Sequence, residues 1–254
     1  MWWPNARRPF ALVVSCASLT VGCSDNPTDE GTGSETEDGC HTPTLEAALC
    51  DPAVATFGLA STNPYYPLLV GSRTVLEGFD DEDGVMLRVE REVSSDTMIV
   101  AGVETHILEH RTYHDGDIHE IAYNFYVEAN DGTVCYFGED VEFYEGGVLT
   151  GTDGTWRAGV DGAMPGIIMP ASPAAGQAYF QENAPDNEAL DMGKVEAVSE
   201  SASFAGTTYD DVITIQDSSP FDDCEDEEKR YVPGIGEVQD VELELTEYIP
   251  PSAG

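Results

Sequence analysis

"HDGDIHEIAYNFYVEANDG", residues 114–132, alternates with period two: His119, Ile121, Tyr123, Phe125 and Val127 fall on one face of an extended chain. It opens with Asp115-Gly116, a pair suited to a two-residue type I′ turn, in which both central residues need positive φ. It closes on "NDG" at 130–132, another turn signal. The stretch therefore reads as one strand of a hairpin, entered by a tight turn and left by another.

The same pattern extends outward. From 84 to 93, Val85, Leu87, Val89 and Val93 share one face, and Arg88, Glu90 and Glu92 share the other. "DDEDG" at 80–84 and "EGG" at 145–147 supply further turns. This reading predicts about ten hairpin-linked strands between residues 73 and 248. "TPTLEAAL", 42–49, is the one segment that reads as a helix, with Thr42 or Thr44 as its cap. "VDGAMPGIIMPASPAAG", 160–176, rich in Pro and Gly, is expected to be a long crossing loop. The predicted fold is all-β, an antiparallel meander. A lone open sheet of this size exposes its edges, so the sheet is expected to curl into a barrel or half-barrel, as in lipocalins or lipoprotein carriers. The alternative is a β-sandwich.

The start of the chain has a different character. Arg7 and Arg8 precede a run of twelve apolar and small residues, Phe10 to Val21. That length suits the core of a secretory signal and is too short for a membrane-spanning helix, which needs ~20 residues. "TVGC" then resembles the lipobox of bacterial lipoproteins. Its competitor, "VVSC", leaves too short an apolar run before Cys16, so Cys23 is the expected lipidation site. Residues 24–39 hold Asp25, Asp29, Glu30, Glu35, Glu37 and Asp38 and no large apolar side chain. Such a stretch buries too little surface to offset its ordering entropy and reads as a tether. The expected organisation is a signal peptide over 1–22, a lipidated cysteine and acidic tether with the short helix over 23–50, and a single β-rich domain over 51–254. Diacylated or triacylated cysteine anchors a chain stably. The implied location is the cell envelope. Ser24, rather than the Asp of inner-membrane retention signals, favours the outer membrane.

The formal net charge is -39, with 49 Asp and Glu against 10 Lys and Arg. A chain this acidic repels nucleic acid phosphates and anionic headgroups, which excludes nucleic acid as a partner. The charge fits binding of cations or basic partners, or a solvated surface adapted to high salt. Four cysteines remain beyond the signal and anchor: Cys40, Cys50, Cys135 and Cys224. In an exported chain they imply two disulfides. The expected pairing is Cys40–Cys50, closing a short local loop, and Cys135–Cys224, joining distant strands.

Several stretches in order resemble a domain that recurs in secreted and lipid-anchored proteins of many bacteria: "NPYYPLLVGS" (63–72), "AGVETHILEHR" (101–111), "YFGEDVEFYEGG" (136–147), "AGVDGAMPGIIMP" (158–170), "QENAP" (181–185), "FAGTTYDDV" (204–212) and "YVPGIGEV" (231–238). The resemblance spans residues 63–248 and implies an exported β-rich domain with no established activity. The chain departs from the pattern at Cys135, where an aromatic is usual, and in "APDNEALDMGK" (184–194), which is one residue longer.

Candidate chemistry is sparse. GxSxG, HExxH and P-loop motifs are absent, and pairs of carboxylates arise by chance among so many acids, so an enzyme is not expected and a hydrolase is a remote alternative. His114 and His119 are placed to meet across the Asp115-Gly116 turn and, with Asp115 or Asp117, form the candidate surface metal site, for calcium or zinc; the plainer reading is solvated polar residues on an outward face, with no cofactor. "DDEDG" and "DDCEDEE" (222–228) are the candidate surface calcium sites. An EF-hand is excluded because Phe79 would fill the first ligand position. "PGIIMP" (165–170) is the most apolar segment, a lid, a partner contact or a core loop. Glu139 shares parity with Cys135, Phe137, Val141 and Phe143, so it is expected to point inward, paired with Arg111 as a polar anchor for a ligand. The expected function is a lipoprotein whose β-domain binds a hydrophobic or amphiphilic ligand without catalysis. The alternative is a surface module binding a divalent cation or a protein.

Overall fold

The computed structural model describes residues 40–251, apart from residues 82 and 223. The expected signal peptide, the expected lipidation site Cys23 and the expected tether to residue 39 lie outside the described residues. The protein is all-β, with 58% strand and 4% helix, so no helical layer is available to cover a sheet and the sheet must cover itself. Fifteen strands are described: β1 (Phe57–Gly58), β2 (Arg73–Asp80), β3 (Val85–Val100), β4 (Val103–His114), β5 (Asp117–Ala129), β6 (Val134–Glu145), β7 (Val148–Gly151), β8 (Trp156–Arg157), β9 (Gly166–Met169), β10 (Ala178–Phe180), β11 (Met192–Phe204), β12 (Thr207–Ser218), β13 (Glu227–Val232), β14 (Gly236–Asp240) and β15 (Leu243–Ile249).

β2 to β7 form one antiparallel meander and β10 to β15 another. β15 returns to pair with β2, which joins the two into a single sheet. The Asp115-Gly116 turn is two residues long, with both φ values positive at 50° and 88°, as its sequence requires. The expected ten strands become fourteen from residue 73 onward, because four short strands, β7 to β10, are too brief to leave a period-two signature.

The sheet is curled but not closed into a barrel. β9 nevertheless draws its two ends together. It pairs with β6, and Gly166 lies so close to the backbone of Gln181, just after β10, that any Cβ there would collide with the Gln181 carbonyl. The Met164 N–H donates to the Asn183 carbonyl at 2.9 Å. "PGIIMP" is therefore a buried strand in this seam, with Ile167 and Met169 fully covered, and not a crossing loop or lid. Tyr126, Trp156, Ile167, Tyr179, Ile213 and Tyr231, drawn from both meanders, share one core.

Two expectations fail beside this seam. The helix expected over 42–49 is only a 3-10 turn, Ala47–Cys50. The backbone N–H groups of Thr44 and Leu45 both donate to Ala178 of β10 instead, at 2.7 and 3.0 Å, so the segment is docked on the sheet. The disulfides are Cys40–Cys224 and Cys50–Cys135, not the expected Cys40–Cys50 and Cys135–Cys224. Docking on β10 carries Cys50 over the sheet to the fully buried Cys135, while Cys40 lies beside Cys224.

Candidate functional site

The concave face of the sheet carries an unusual number of ionisable side chains. Parity places them there. On β3, Arg91 shares a face with the buried Leu87, Val89 and Val93, and on β4, His110 lies opposite Arg91 and between Leu108 and Thr112. On β13, Lys229 and Tyr231 point inward, and on β14 a register shift puts Glu237 opposite Tyr231 and Asp240 opposite Lys229. The result is a connected buried network. Arg91 pairs with Glu237 at 2.5 Å and with Asp240 at 3.4 Å. Lys229 pairs with Asp217 at 3.0 Å and Asp240 at 3.6 Å. Gln181 donates to Asp217 at 2.7 Å. Arg91 Nε donates to His110 Nδ1 at 3.2 Å, which fixes the His110 proton on Nε2; burial first, and the Arg91 charge second, hold this imidazole well below its usual range.

A second cluster lies where the sheet ends meet. Glu139 is buried, as its parity with apolar neighbours suggested, but the route is different. Gly138 adopts φ 128° and makes a bulge, shown by the shift from Asn124↔Glu139 to Tyr126↔Tyr136. Glu139 therefore shares the concave face with Tyr136, while Cys135 and Phe137 point to the other side, Cys135 to its disulfide and Phe137 to Phe57. The Gly138 position faces the Trp156 carbonyl at a distance that leaves no room for a Cβ.

Glu139 and Glu182 are both buried beside Trp156: Glu139 lies opposite it in the sheet, and Trp156 Nε1 donates to Glu182 at 3.4 Å. Tyr136 and Tyr126 both donate to Asn124 Oδ1, at 2.6 and 3.4 Å. Desolvation is the main reason that Glu139 is raised to about 7 and Glu182 to about 8, with their mutual and neighbouring charges second. Burial likewise raises Glu120 to about 7 and holds Asp191 well above the usual carboxylate range.

Arg111 is not the partner of Glu139. It lies on the opposite face of the sheet, 40% exposed, and pairs with Glu109 on its own strand. The reason is the period of β4: from His106 to Thr112, even residues face in and odd ones out. His114 and His119 do meet across the turn, but their rings stack face to face, 4.0 Å between centroids and 11° between planes. Stacked rings do not aim two nitrogens at one point, and among the described residues no group of three or more His, Cys, Asp and Glu could hold a metal ion. At "DDEDG" the Asp80 carboxylate accepts the Asp83 N–H at 3.0 Å and so shapes the turn.

Between the two clusters, Tyr66 plugs the curl. Its ring meets Tyr126 at 5.2 Å and Tyr231 at 6.4 Å. Beside it lies a hollow of about 40 Å³, lined by residues that include Tyr66, Arg91, Val93, Leu108, Ile235 and Glu237. Sequence reading passed over Arg91, Glu182, Asp191, Lys229 and Tyr66. The parity of Arg91 with Val89 and Val93 was a usable signal for one of them. Glu182 and Asp191 flank short elements with no period to read.

No family model, curated protein or solved structure matches this chain.

Proposed function

We propose that this chain is an exported protein of the bacterial cell envelope, lipid-anchored through Cys23, whose β-domain binds a ligand without transforming it. The observation that carries the export half is the disulfide pair: Cys40–Cys224 and Cys50–Cys135 each join segments far apart in the chain, an arrangement suited to an oxidising compartment. The signal-like start of the sequence and the resemblance to a domain of secreted and lipid-anchored bacterial proteins point the same way.

For the binding half, the hollow beside Tyr66 supports a narrower ligand than a lipid enclosed in a calyx. Drug-sized ligands occupy pockets of ~300–1,000 Å³. About 40 Å³ admits a small group or one projecting end of a molecule. The hollow offers that group an aromatic wall at Tyr66, an apolar side at Val93 and Leu108, and the Arg91–Glu237 ion pair. An amphiphile that presents a compact polar end fits this chemistry.

The test is mass spectrometry of protein extracted from bacterial membranes. The denatured chain is expected to begin at Cys23 with added acyl mass, and the native chain to carry a second, non-covalent mass lost on Arg91→Met. A mature chain that starts elsewhere with a free thiol overturns the anchor; a ligand-free native mass overturns the binding.

A further inference from the structure

The hollow beside Tyr66 borders an ion network that is short of positive charge. Arg91 and Lys229 face three carboxylates there, Glu237, Asp240 and Asp217, and no side chain of this group is more than 15% exposed. His110 adds no charge, because its Nδ1 accepts from Arg91. Asp240 touches both cations, and Asp217 has Lys229 and the Gln181 amide. The shortfall lands on Glu237. Its cation, Arg91, is shared with Asp240. Its Oε1 atom stands 2.5 Å from the Arg91 nitrogen, yet it is buried with no N–H or O–H directed at it among the described residues. Burial keeps this carboxyl above its ordinary range in spite of Arg91.

Glu237 is also the one carboxylate that lines the hollow, among the described residues. A buried carboxylate calls for a hydrogen-bond donor and a counter-charge together. The rest of the lining decides what can bring both. A calcium ion takes about six to eight oxygens, and beside Glu237 the neighbouring side chains offer the hydroxyls of Ser72, Thr74 and Tyr66. Tyr66 also supplies a ring, which attracts an organic cation within ~6 Å of its centre. Val93 and Leu108 supply apolar surface for methylenes. One water needs ~10–15 Å³, and an ammonium group is of similar size. The hollow of about 40 Å³ therefore admits an ammonium with its first methylenes. An anion would add to the excess of negative charge, inside a chain of net charge -39.

We propose, on the ligand-binding reading above, that the hollow takes the primary ammonium end of an amphiphile, with Glu237 as its counter-ion and hydrogen-bond acceptor. The ammonium gives Oε1 the donor it lacks and gives the network its missing positive charge. Arg91 holds the Glu237 carboxylate at the wall, so binding depends on both residues.

Titration of the full chain with octylammonium, octanol and octanoate tests this, in ~1 M salt to screen the surface acids. Octylammonium is expected to bind at one site about tenfold or more tighter than octanol, with amide NMR shifts centred on Val93, Leu108 and Ile235, and octanoate is expected to bind most weakly. In Glu237→Gln, which keeps the shape and removes the charge, the preference over octanol is expected to vanish. Octanol or octanoate binding there as tightly as octylammonium overturns the ammonium assignment and leaves the ligand-binding reading standing. So does an unchanged preference in Glu237→Gln. If no probe shifts these amides, the ammonium assignment is overturned, and the native mass from membranes judges the wider reading by itself. If Glu237→Gln does not fold, the wild-type preference and the position of its shifts decide.

Discussion

Glu128 of β5 accepts hydrogen bonds from the backbone N–H groups of Thr62 and Asn63, at 2.6 and 2.9 Å, and from the Thr62 hydroxyl. One buried carboxylate thus fixes the entry of the segment that carries Tyr66 into the curl. Asn63 completes the hold: its side chain donates to the Gly132 and Pro170 carbonyls and accepts from Tyr65 and Tyr66 N–H. Glu128→Ala leaves three donors without their acceptor and is expected to cost about 3 kcal/mol. Urea unfolding measures it. A loss under about 0.5 kcal/mol would mean that the plug is held elsewhere.

The disulfides give a direct check of the topology. Non-reduced peptide mapping is expected to yield Cys40–Cys224 and Cys50–Cys135 linked peptides and no Cys40–Cys50 peptide. Replacing Cys50 and Cys135 together by Ala opens a connection of 85 residues. On the chain-entropy account this costs about 4–5 kcal/mol, read as a drop in the unfolding midpoint.

Arg91 neutralises two buried acids, Glu237 and Asp240. Arg91→Met strands Glu237 and leaves Asp240 only its contact with Lys229, and the expected loss is about 3–5 kcal/mol at pH 7. Part of it should return at pH 4–5, where these carboxyls take up protons. Arg91→Lys keeps the charge but cannot span two carboxylates and a His110 nitrogen with one planar fork, so an intermediate loss is expected. Chemical denaturation of the three proteins at both pH values is the measurement.

Glu120 is buried opposite Phe143 on the concave face, and burial raises it to about 7 from an ordinary value of 4.5. The folded state therefore holds this proton more tightly than the unfolded chain. Stability is undiminished below about pH 4.5, is lost as pH rises toward 7, and is level above. Glu120→Gln removes the ionisation. It should leave stability at pH 4 nearly unchanged and raise it at pH 8, by about 2–3 kcal/mol. No gain at pH 8 would place this carboxyl in water.

What the residues reveal on their own is whatever depends on neighbours a few positions apart. The strands β3 and β5, the Asp115-Gly116 turn and the meeting of His114 with His119 are local consequences of backbone geometry and stand in the structure, although a register shift at His119 interrupts the β5 alternation. So does the inward burial of Glu139, although the bulge at Gly138 delivers it by reversing the parity that suggested it. The net charge, the apolar run before Cys23 and the even number of cysteines after it are likewise properties of composition and order.

Tertiary structure decided everything that turns on which distant segments touch. Cys50 finds Cys135 because Thr44 and Leu45, ahead of it, donate their N–H groups to Ala178 of β10. Arg111 misses Glu139 because they stand on opposite faces, and strand pairing sets that relation. β9 is a strand only because β6 offers it a ladder and Gln181 a close wall. Glu139 and Glu182 gather around Trp156 only because the curl brings together two ends of one sheet. Such contacts depend on the register of intervening strands, and single bulges at Gly138 and Val238 reset that register without any long-range trace in the order of residues.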